Sequence, residues 1–251
     1  MPTALITGAS SGIGRAIAQK LAGAGYDLAM TARGKDRLEY AASGLRSAKT
    51  RVEAIVADVS DSGEAERAVA AALKAFSRID VLVNAAGSAP TVETHAVSDA
   101  QWRAILDSNL SSAIYTTRAV WPIMQRQHEA WKKPHPDETA ARGPASGGCI
   151  INISSMAARD PFPGLGVYGI AKAGVNMLTL ATAREGSAVG IRVFCIAPAA
   201  TETPMLRTLV DAKQLPTDAI MLPEEIAAVA AAMVDGTLQH ASGETLYLQR
   251  K

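Results

Sequence analysis

The chain has 251 residues, 48% of them apolar and 20% charged, with a formal net charge of +1. That length and balance suit a globular protein with a sizeable core. Lys and Arg are scattered, with no basic stripe, zinc-finger or basic-helix spacing, so a nucleic-acid partner is not expected, and no stretch approaches the ~20 apolar residues of a membrane span.

In chain order, short apolar runs alternate with longer Ala-rich ones. "TALIT" (3–7), "YDLAMTA" (26–32), "RVEAIVA" (51–57), "IDVLVNA" (79–85), "CIINIS" (149–154), "IRVFCIA" (191–197) and "ETLYLQ" (244–249) read as strands buried on both faces of a parallel sheet. Between them, 13–24, 35–48, 62–77, 99–126, 167–186 and 224–235 read as helices. The alternation predicts an α/β fold, a doubly wound, mostly parallel seven-stranded sheet with helices on both faces, in a single domain over 1–251. Segment 125–148 is polar, holds three prolines and reads as a loop insertion. His128 and His135 lie in it without a thiol or carboxylate at ligand spacing, so no metal is expected. Cys149 and Cys195 sit in separate strand-like runs and are expected as buried free thiols. The first strand follows the N-terminus with no charged leader, and a cytoplasmic location is the expectation.

"ITGASSGIGRAIA" places Gly8, Gly12 and Gly14 between the first strand and the first helix. Glycine allows a tight turn and close approach of the backbone to a phosphate, and a helix N-terminus offers free N–H groups. A strand-to-helix turn without a ligand satisfies the same spacing, but a place in the first βαβ unit favours a nucleotide. Further on, "YGIAK" sets Tyr168 and Lys172 four residues apart, on one face if helical. Ser155 precedes the tyrosine by thirteen residues, at the end of a strand.

"TGASSGIG", "NAAG" at 84–87, "ISS" at 153–155 and "YGIAK" follow one another in the order and separations of the short-chain dehydrogenase/reductase family, which the chain resembles over nearly its whole length. The resemblance extends to the family's 3-oxoacyl-[acyl-carrier-protein] reductases. It implies an oxidoreductase passing a hydride between a nicotinamide cofactor and a ketone or secondary alcohol. Tyr168 would be the general acid/base and Lys172 would also bond the nicotinamide ribose. Ser155 would hydrogen-bond the substrate oxygen, with Ser154 left to structure, and Asn109 would hold a relay water linked to the lysine. The Asn109 amide has a plainer use, bonding a distorted helical turn. A neighbouring ammonium, joined by the oxidised nicotinamide, is expected to pull the phenol below its ordinary value near 10.

The cofactor would lie on Gly8, Ser10, Ser11, Gly12, Ile13 and Gly14, on Asp58 and Val59 after the third strand, on Asn84, Ala85 and Gly87 after the fourth, and on Tyr168, Lys172, Pro198, Thr201 and Thr203. Asn84 has an alternative use in bracing the sheet, and Asp58 in capping a helix. An NAD enzyme usually ends its second strand with a carboxylate on the ribose hydroxyls. Here Ala32 takes that place and Arg33 follows, leaving room and charge for a 2′-phosphate, so NADP(H) is expected over NAD(H). Ser10, Ser11 and Arg15 are available to share that phosphate.

The sequence departs from the family pattern at Ala199, in place of the usual glycine, at Thr201, in place of an aliphatic residue, and at Phe194, in place of a frequent asparagine. Residues 204–223, rich in Leu and Met, read as a substrate lid and favour a partly apolar substrate. The tail lacks the glycine-rich end of many relatives. The resemblance still implies a homotetramer or homodimer built on the helices at 99–126 and 167–186. Reduction of 3-oxoacyl groups on acyl carrier protein shares every motif but needs a basic docking surface, to which Arg126 and Arg184 would contribute. A dinucleotide sensor without turnover is the alternative of another class, and the intact Ser–Tyr–Lys set argues against it.

Overall fold

The computed structural model describes residues 1–134 and 146–250. Seven parallel strands form one sheet in the order β3-β2-β1-β4-β5-β6-β7. They are β1 (Thr3–Thr7), β2 (Asp27–Ala32), β3 (Val52–Val56), β4 (Val81–Asn84), β5 (Gly148–Ile153), β6 (Ile191–Pro198) and β7 (Thr245–Leu248). The helices are α1 (Gly12–Gly23), α2 (Lys35–Ser43), α3 (Ser62–Phe76), α4 (Asp99–Leu106), α5 (Ser112–Lys132), α6 (Gly166–Gly186), α7 (Pro204–Leu209) and α8 (Pro223–Val234). This is the doubly wound arrangement the alternation predicts. The strand order reverses between β1 and β4, which opens a crevice at the carboxyl ends of those strands.

Successive side chains of a strand point to opposite faces, and the core divides accordingly. Ala4 and Ile6 of β1, with Leu28 and Met30 of β2, pack against α1, α2 and α8. Leu5, Ala29, Leu82 and Ile150 face the other way, onto α3, α5 and α6. The five inner strands are almost wholly buried. The outer two depart from the expectation of burial on both faces: β3 and β7 are each partly exposed, because an edge strand has a neighbour on one side only.

Two boundaries read from the sequence move. The helix expected over 99–126 is split by one π-turn at Asp107–Ser111, and α5 continues through the first part of the segment taken for a loop, as far as Lys132. Gln127 holds this extension down. Its amide donates to Ile79 O at 2.9 Å and accepts from Ile79 N at 3.0 Å, fixing the approach to β4. His128 stacks on Trp131 one turn later, with ring centroids 6.0 Å apart. His135 and most of the remaining insertion lie outside the described residues. Among the described residues no three His, Cys, Asp or Glu gather as metal ligands, and no helix is long and apolar enough to cross a membrane. Cys149 and Cys195 are both buried free thiols.

Thr7, the last residue of β1, ties the sheet to the loop that follows β4. Its hydroxyl accepts from the backbone N–H groups of Ala85 and Ala86, both at 3.1 Å, and donates to Val83 O at 3.3 Å. Thr7→Val keeps the shape and removes the acceptor, leaving two amides without a protein partner. The expected result is a loss of about 2 kcal/mol in urea unfolding, with hydrogen exchange at Ala85 and Ala86 faster than in the parent chain.

Candidate active site

A cleft of about 550 Å³ runs along the carboxyl ends of the strands, from the turn after β1 to the lid that follows β6. Its floor is the glycine loop. Gly8 has φ +66°, and a Cβ there would stand 2.7 Å from Ala85 O; a Cβ on Gly14 would stand 2.6 Å from Gly8 O. Only bare backbone brings these three segments together. Ser10, Ser11, Gly12 and Ile13 complete this wall. Ser11 is the N-cap of α1 but makes no side-chain capping bond, so its hydroxyl leaves the first N–H groups of that helix uncapped. A cradle too close for side chains beneath an uncapped helix N-terminus fits the pyrophosphate of a dinucleotide.

At the β2–β3 end the wall carries positive charge. Ala32 ends β2, no carboxylate stands there, and Arg33 follows with its side chain 71% exposed and Nη1 3.8 Å from Asp58 Oδ2. Asp58 also accepts from Ser60 N at 3.1 Å and Ser60 Oγ at 2.6 Å, and with Val59 it lines the cleft. It does not cap α3; Asp61 does, accepting from Glu64 N. The Arg15 guanidinium, expected as available to that phosphate, lies 5.8 Å over the Tyr40 ring and does not line the cleft. Arg37 does. It was not among the expected cofactor residues; it lies in the first turn of α2, three residues past the Gly34 N-cap.

In the middle of the cleft Ala85 and Gly87 line the wall, joined by Ala86. Asn84 does not. Its amide donates to Asn152 Oδ1 at 2.9 Å and Thr117 Oγ1 at 3.2 Å and accepts from Thr116 Oγ1 at 2.6 Å. Asn152 passes the chain on to Thr179 at 2.9 Å. Asn84 therefore braces β4 to β5 and α5 beneath the cleft, the alternative use expected of it.

Asn109 sits in the π-turn, buried. Its Nδ2 donates to Ser88 O at 2.8 Å and Ile105 O at 2.9 Å, serving a carbonyl that the distorted turn would otherwise strand. Its Oδ1 is buried without a hydrogen-bond partner among the described residues. A methyl built on Gly87 would stand 2.6 Å from that oxygen and 3.5 Å from Lys172 Nζ, so the two heads share one small space.

Ser155, Tyr168 and Lys172 meet in the next stretch of wall. Ser155 follows β5, and its hydroxyl accepts from Ala157 N at 3.1 Å to start a single 3₁₀ turn. Gly169 lies against Ala157 O too closely for a side chain, which seats the first turn of α6 on the Ser155 loop. Ser154 donates to Lys172 O at 3.0 Å, the structural use expected of it. Lys172 is buried in the wall; its Nζ donates to Ile153 O at 2.8 Å and stands 5.7 Å from the Tyr168 ring centroid.

The electrostatics differ from the sequence-based expectation. Burial pushes the Tyr168 phenol above its ordinary value, with a smaller opposing pull from the Ser155 hydroxyl, and burial pulls the Lys172 ammonium down to about 8. The expected lowering of the phenol by the lysine does not appear, because desolvation dominates both groups. A phenol shifted upward in this way is protonated at neutral pH.

Pro198, Thr201 and Thr203 close the cleft beyond β6. Thr201 donates to Ala199 O at 2.9 Å; Thr203 donates to Thr201 O at 3.2 Å and caps α7 by accepting from Leu206 N at 3.2 Å. Ala199 carries the strand pairing on, donating to Leu248 O at 2.8 Å, and Phe194 is fully buried beneath. In the segment 204–223, where a lid is expected, lie α7 and a loop held by Arg207, which pairs with Glu202 and donates to Leu215 O at 2.8 Å. Asp160, Phe162 and Leu165, before α6, and Gln249, after β7, also line this end; the sequence held no periodic signal for these loop positions.

A family model described as short chain dehydrogenase matches residues 2–131, and one described as Enoyl-(Acyl carrier protein) reductase matches residues 138–249. Sulfoacetaldehyde reductase 2 of Chromohalobacter salexigens is 34% identical over 86% of this chain and 79% of its own length. A 3-oxoacyl-[acyl-carrier-protein] reductase of Staphylococcus epidermidis is 30% identical over 98% of this chain and 96% of its own. Among solved structures, the 3-ketoacyl-(acyl-carrier-protein) reductase of Brucella melitensis complexed with NADH superposes with a TM-score of 0.85 at 27% identity, covering 98% of this chain and 96% of that one.

Lys172 yields a test independent of turnover. Its value in the folded chain lies below the ordinary 10.5, so the buried ammonium costs stability at neutral pH. That cost fades as pH rises from about 8 through 10.5, where the unfolded chain also loses the proton. Lys172→Met should therefore be more stable than the parent chain at pH 7 by about 2–4 kcal/mol, and should lose that advantage by pH 10.5. Urea unfolding of both proteins across this range measures it.

Proposed function

The chain belongs to the short-chain dehydrogenase/reductase family, oxidoreductases acting on alcohol and carbonyl groups, and we propose that it is an NADP(H)-dependent reductase of ketones in which Tyr168 is the proton donor. The observation that carries this reading is the convergence of Ser155, Tyr168 and Lys172 on one wall of a cleft whose floor is the glycine cradle. When bound, the nicotinamide nucleotide supplies the hydride to the carbonyl carbon. The chain's own residues do the rest. Ser155 Oγ orients the carbonyl oxygen and stabilises the charge that grows there, and Tyr168 Oη gives that oxygen its proton, completing the alcohol. A phenol protonated at neutral pH is the form reduction requires.

Lys172 holds the ribose side of the nucleotide and, being close to its own titration point, is suited to return a proton to the phenolate. Asn109 Oδ1, facing the same space as Lys172 Nζ, is the acceptor that would hold a water between that ammonium and the outside. The glycine loop, Asp58, Val59, Ala85, Gly87, Pro198, Thr201 and Thr203 hold the dinucleotide. The preference for a 2′-phosphate rests on Arg33 and Arg37 flanking the end of β2 where an NAD enzyme would carry a carboxylate.

Likeness to 3-oxoacyl-[acyl-carrier-protein] reductases favours a second reading, in which the ketone arrives on a carrier protein. The basic surface invoked for it is displaced. Arg184 lies near the far end of α6, twelve residues past Lys172 or ~18 Å along the axis, and neither it nor Arg126 lines the cleft. A free small-molecule ketone is therefore the first reading. Assembly as a homodimer or homotetramer belongs to the same proposal, supported by Ile170 and Met177, exposed one above the other along α6, and by Ile114 on α5. A cytoplasmic setting is in keeping with two buried, unpaired thiols.

Tyr168→Phe should lower kcat by at least about a thousandfold while NADPH still binds, as read by enhancement of reduced-nicotinamide fluorescence; an active variant sinks the assignment. Arg33→Ala with Arg37→Ala should weaken NADPH by about 10–100-fold and leave NADH almost unchanged, in the same titration. A parent chain that binds NADH as tightly as NADPH removes the cofactor preference.

A further inference from the structure

The two ends of the cleft differ in character. Arg33 and Arg37 stand at the glycine-loop end, with Asp58 facing Arg33. Past Ser155 and Tyr168 the wall is Met156, Phe162, Leu165, Met205, Leu206 and Leu209, and Asp160 is the one charged side chain lining it among the described residues. The Asp160 carboxylate is exposed and has no hydrogen bond or ion pair with a described side chain; only its backbone N–H is engaged, on Met156 O at 2.9 Å.

The guanidiniums carried by the surrounding elements make other contacts. Arg159 lies 5.6 Å over the Tyr247 ring, Arg207 is paired with Glu202, and Arg250 donates to Asp218 O and Ile220 O, both at 2.8 Å. None of the three lines the cleft. The Lys172 ammonium is buried and bonded to Ile153 O.

From this distribution, and resting on the reductase reading above, we infer that the substrate end selects by charge: it takes carbonyl compounds with an apolar body that are neutral or cationic and discriminates against anions, with Asp160 as the specificity-determining residue. An anionic substituent seated here would lose its water against methionine, leucine and phenylalanine side chains with no cation in return, and would face a carboxylate. An ammonium in the same place gains a partner. The relatives named for sulfoacetaldehyde act, by that name, on a sulfonate; on this ground their substrate class does not carry over to this chain.

Three carbonyl probes of one shape test the inference: acetophenone, its 4-sulfonate and its 4-aminomethyl derivative, assayed on the full chain with NADPH. Values of kcat/KM should fall at least about tenfold from acetophenone to the sulfonate, with the amine equal to or above acetophenone. Asp160→Asn should shrink the amine-to-sulfonate ratio by about tenfold, and Asp160→Lys should shrink it further. Because Asp160 is exposed, 0.5 M salt should also compress the ratio in the parent chain. The affinity of the three matching alcohols for the cofactor-loaded protein, measured by calorimetry, should follow the same order. A sulfonate used as well as acetophenone, or a ratio unmoved in both variants, overturns the inference. If no probe is turned over, the reductase reading suffers, and the alcohol affinities still decide charge selection: the same order upholds it and tight sulfonate binding overturns it.

Discussion

Everything in the cleft depends on a backbone contact that tolerates no side chain. The turn after β1, the first turn of α1 and the loop after β4 meet at Gly8, Gly14 and Ala85 with less room than one methyl group needs. Close packing alone would fill the crevice that opens where the strand order reverses. Here the floor is made of closely packed main chain. Thr7 reinforces the contact from below by accepting two N–H groups of the β4 loop, so the two walls flanking the crevice are held by one hydroxyl.

Beneath the reacting wall lies a buried polar chain that was not anticipated as a unit. Asn84, Thr116, Thr117, Asn152 and Thr179 link β4, β5, α5 and α6 through hydrogen bonds that leave few donors idle. Such a network specifies one register among the elements it joins, since a slip by one residue would bury unpaired amides. Its members touch no cofactor wall, yet they fix the strands from which Ser155 and Gly87 emerge. The π-turn at Asn109 does the complementary job from the helix side, spending the regularity of one helical turn to bring an amide oxygen over the same space as Lys172.

The site's electrostatics follow from burial more than from pairing. Phenol and ammonium are both pushed toward their neutral forms, so proximity of the lysine does not by itself acidify the tyrosine. Both guanidiniums lining the cleft among the described residues stand at the nucleotide end, Arg33 facing Asp58 there, while Asp160 stands at the other end beside the apolar side chains of α7.

By itself the sequence determined the sheet, its strands and the residues with a spacing signature: the glycine loop, Ser155, and Tyr168 with Lys172. Continuous apolar runs and a four-residue helical interval are local properties, fixed by backbone geometry wherever the elements pack. Only the tertiary structure decided which side chains face the opening. It turned Asn84 into the sheet and Arg15 onto Tyr40, brought Arg37 to the nucleotide end, and extended α5 to Lys132 because Gln127 finds the backbone of Ile79. It also set the direction of the Tyr168 shift, since desolvation depends on what surrounds a group and not on which residue lies one turn away. Orientation and burial are sums over distant parts of the chain, and no short stretch of sequence contains them.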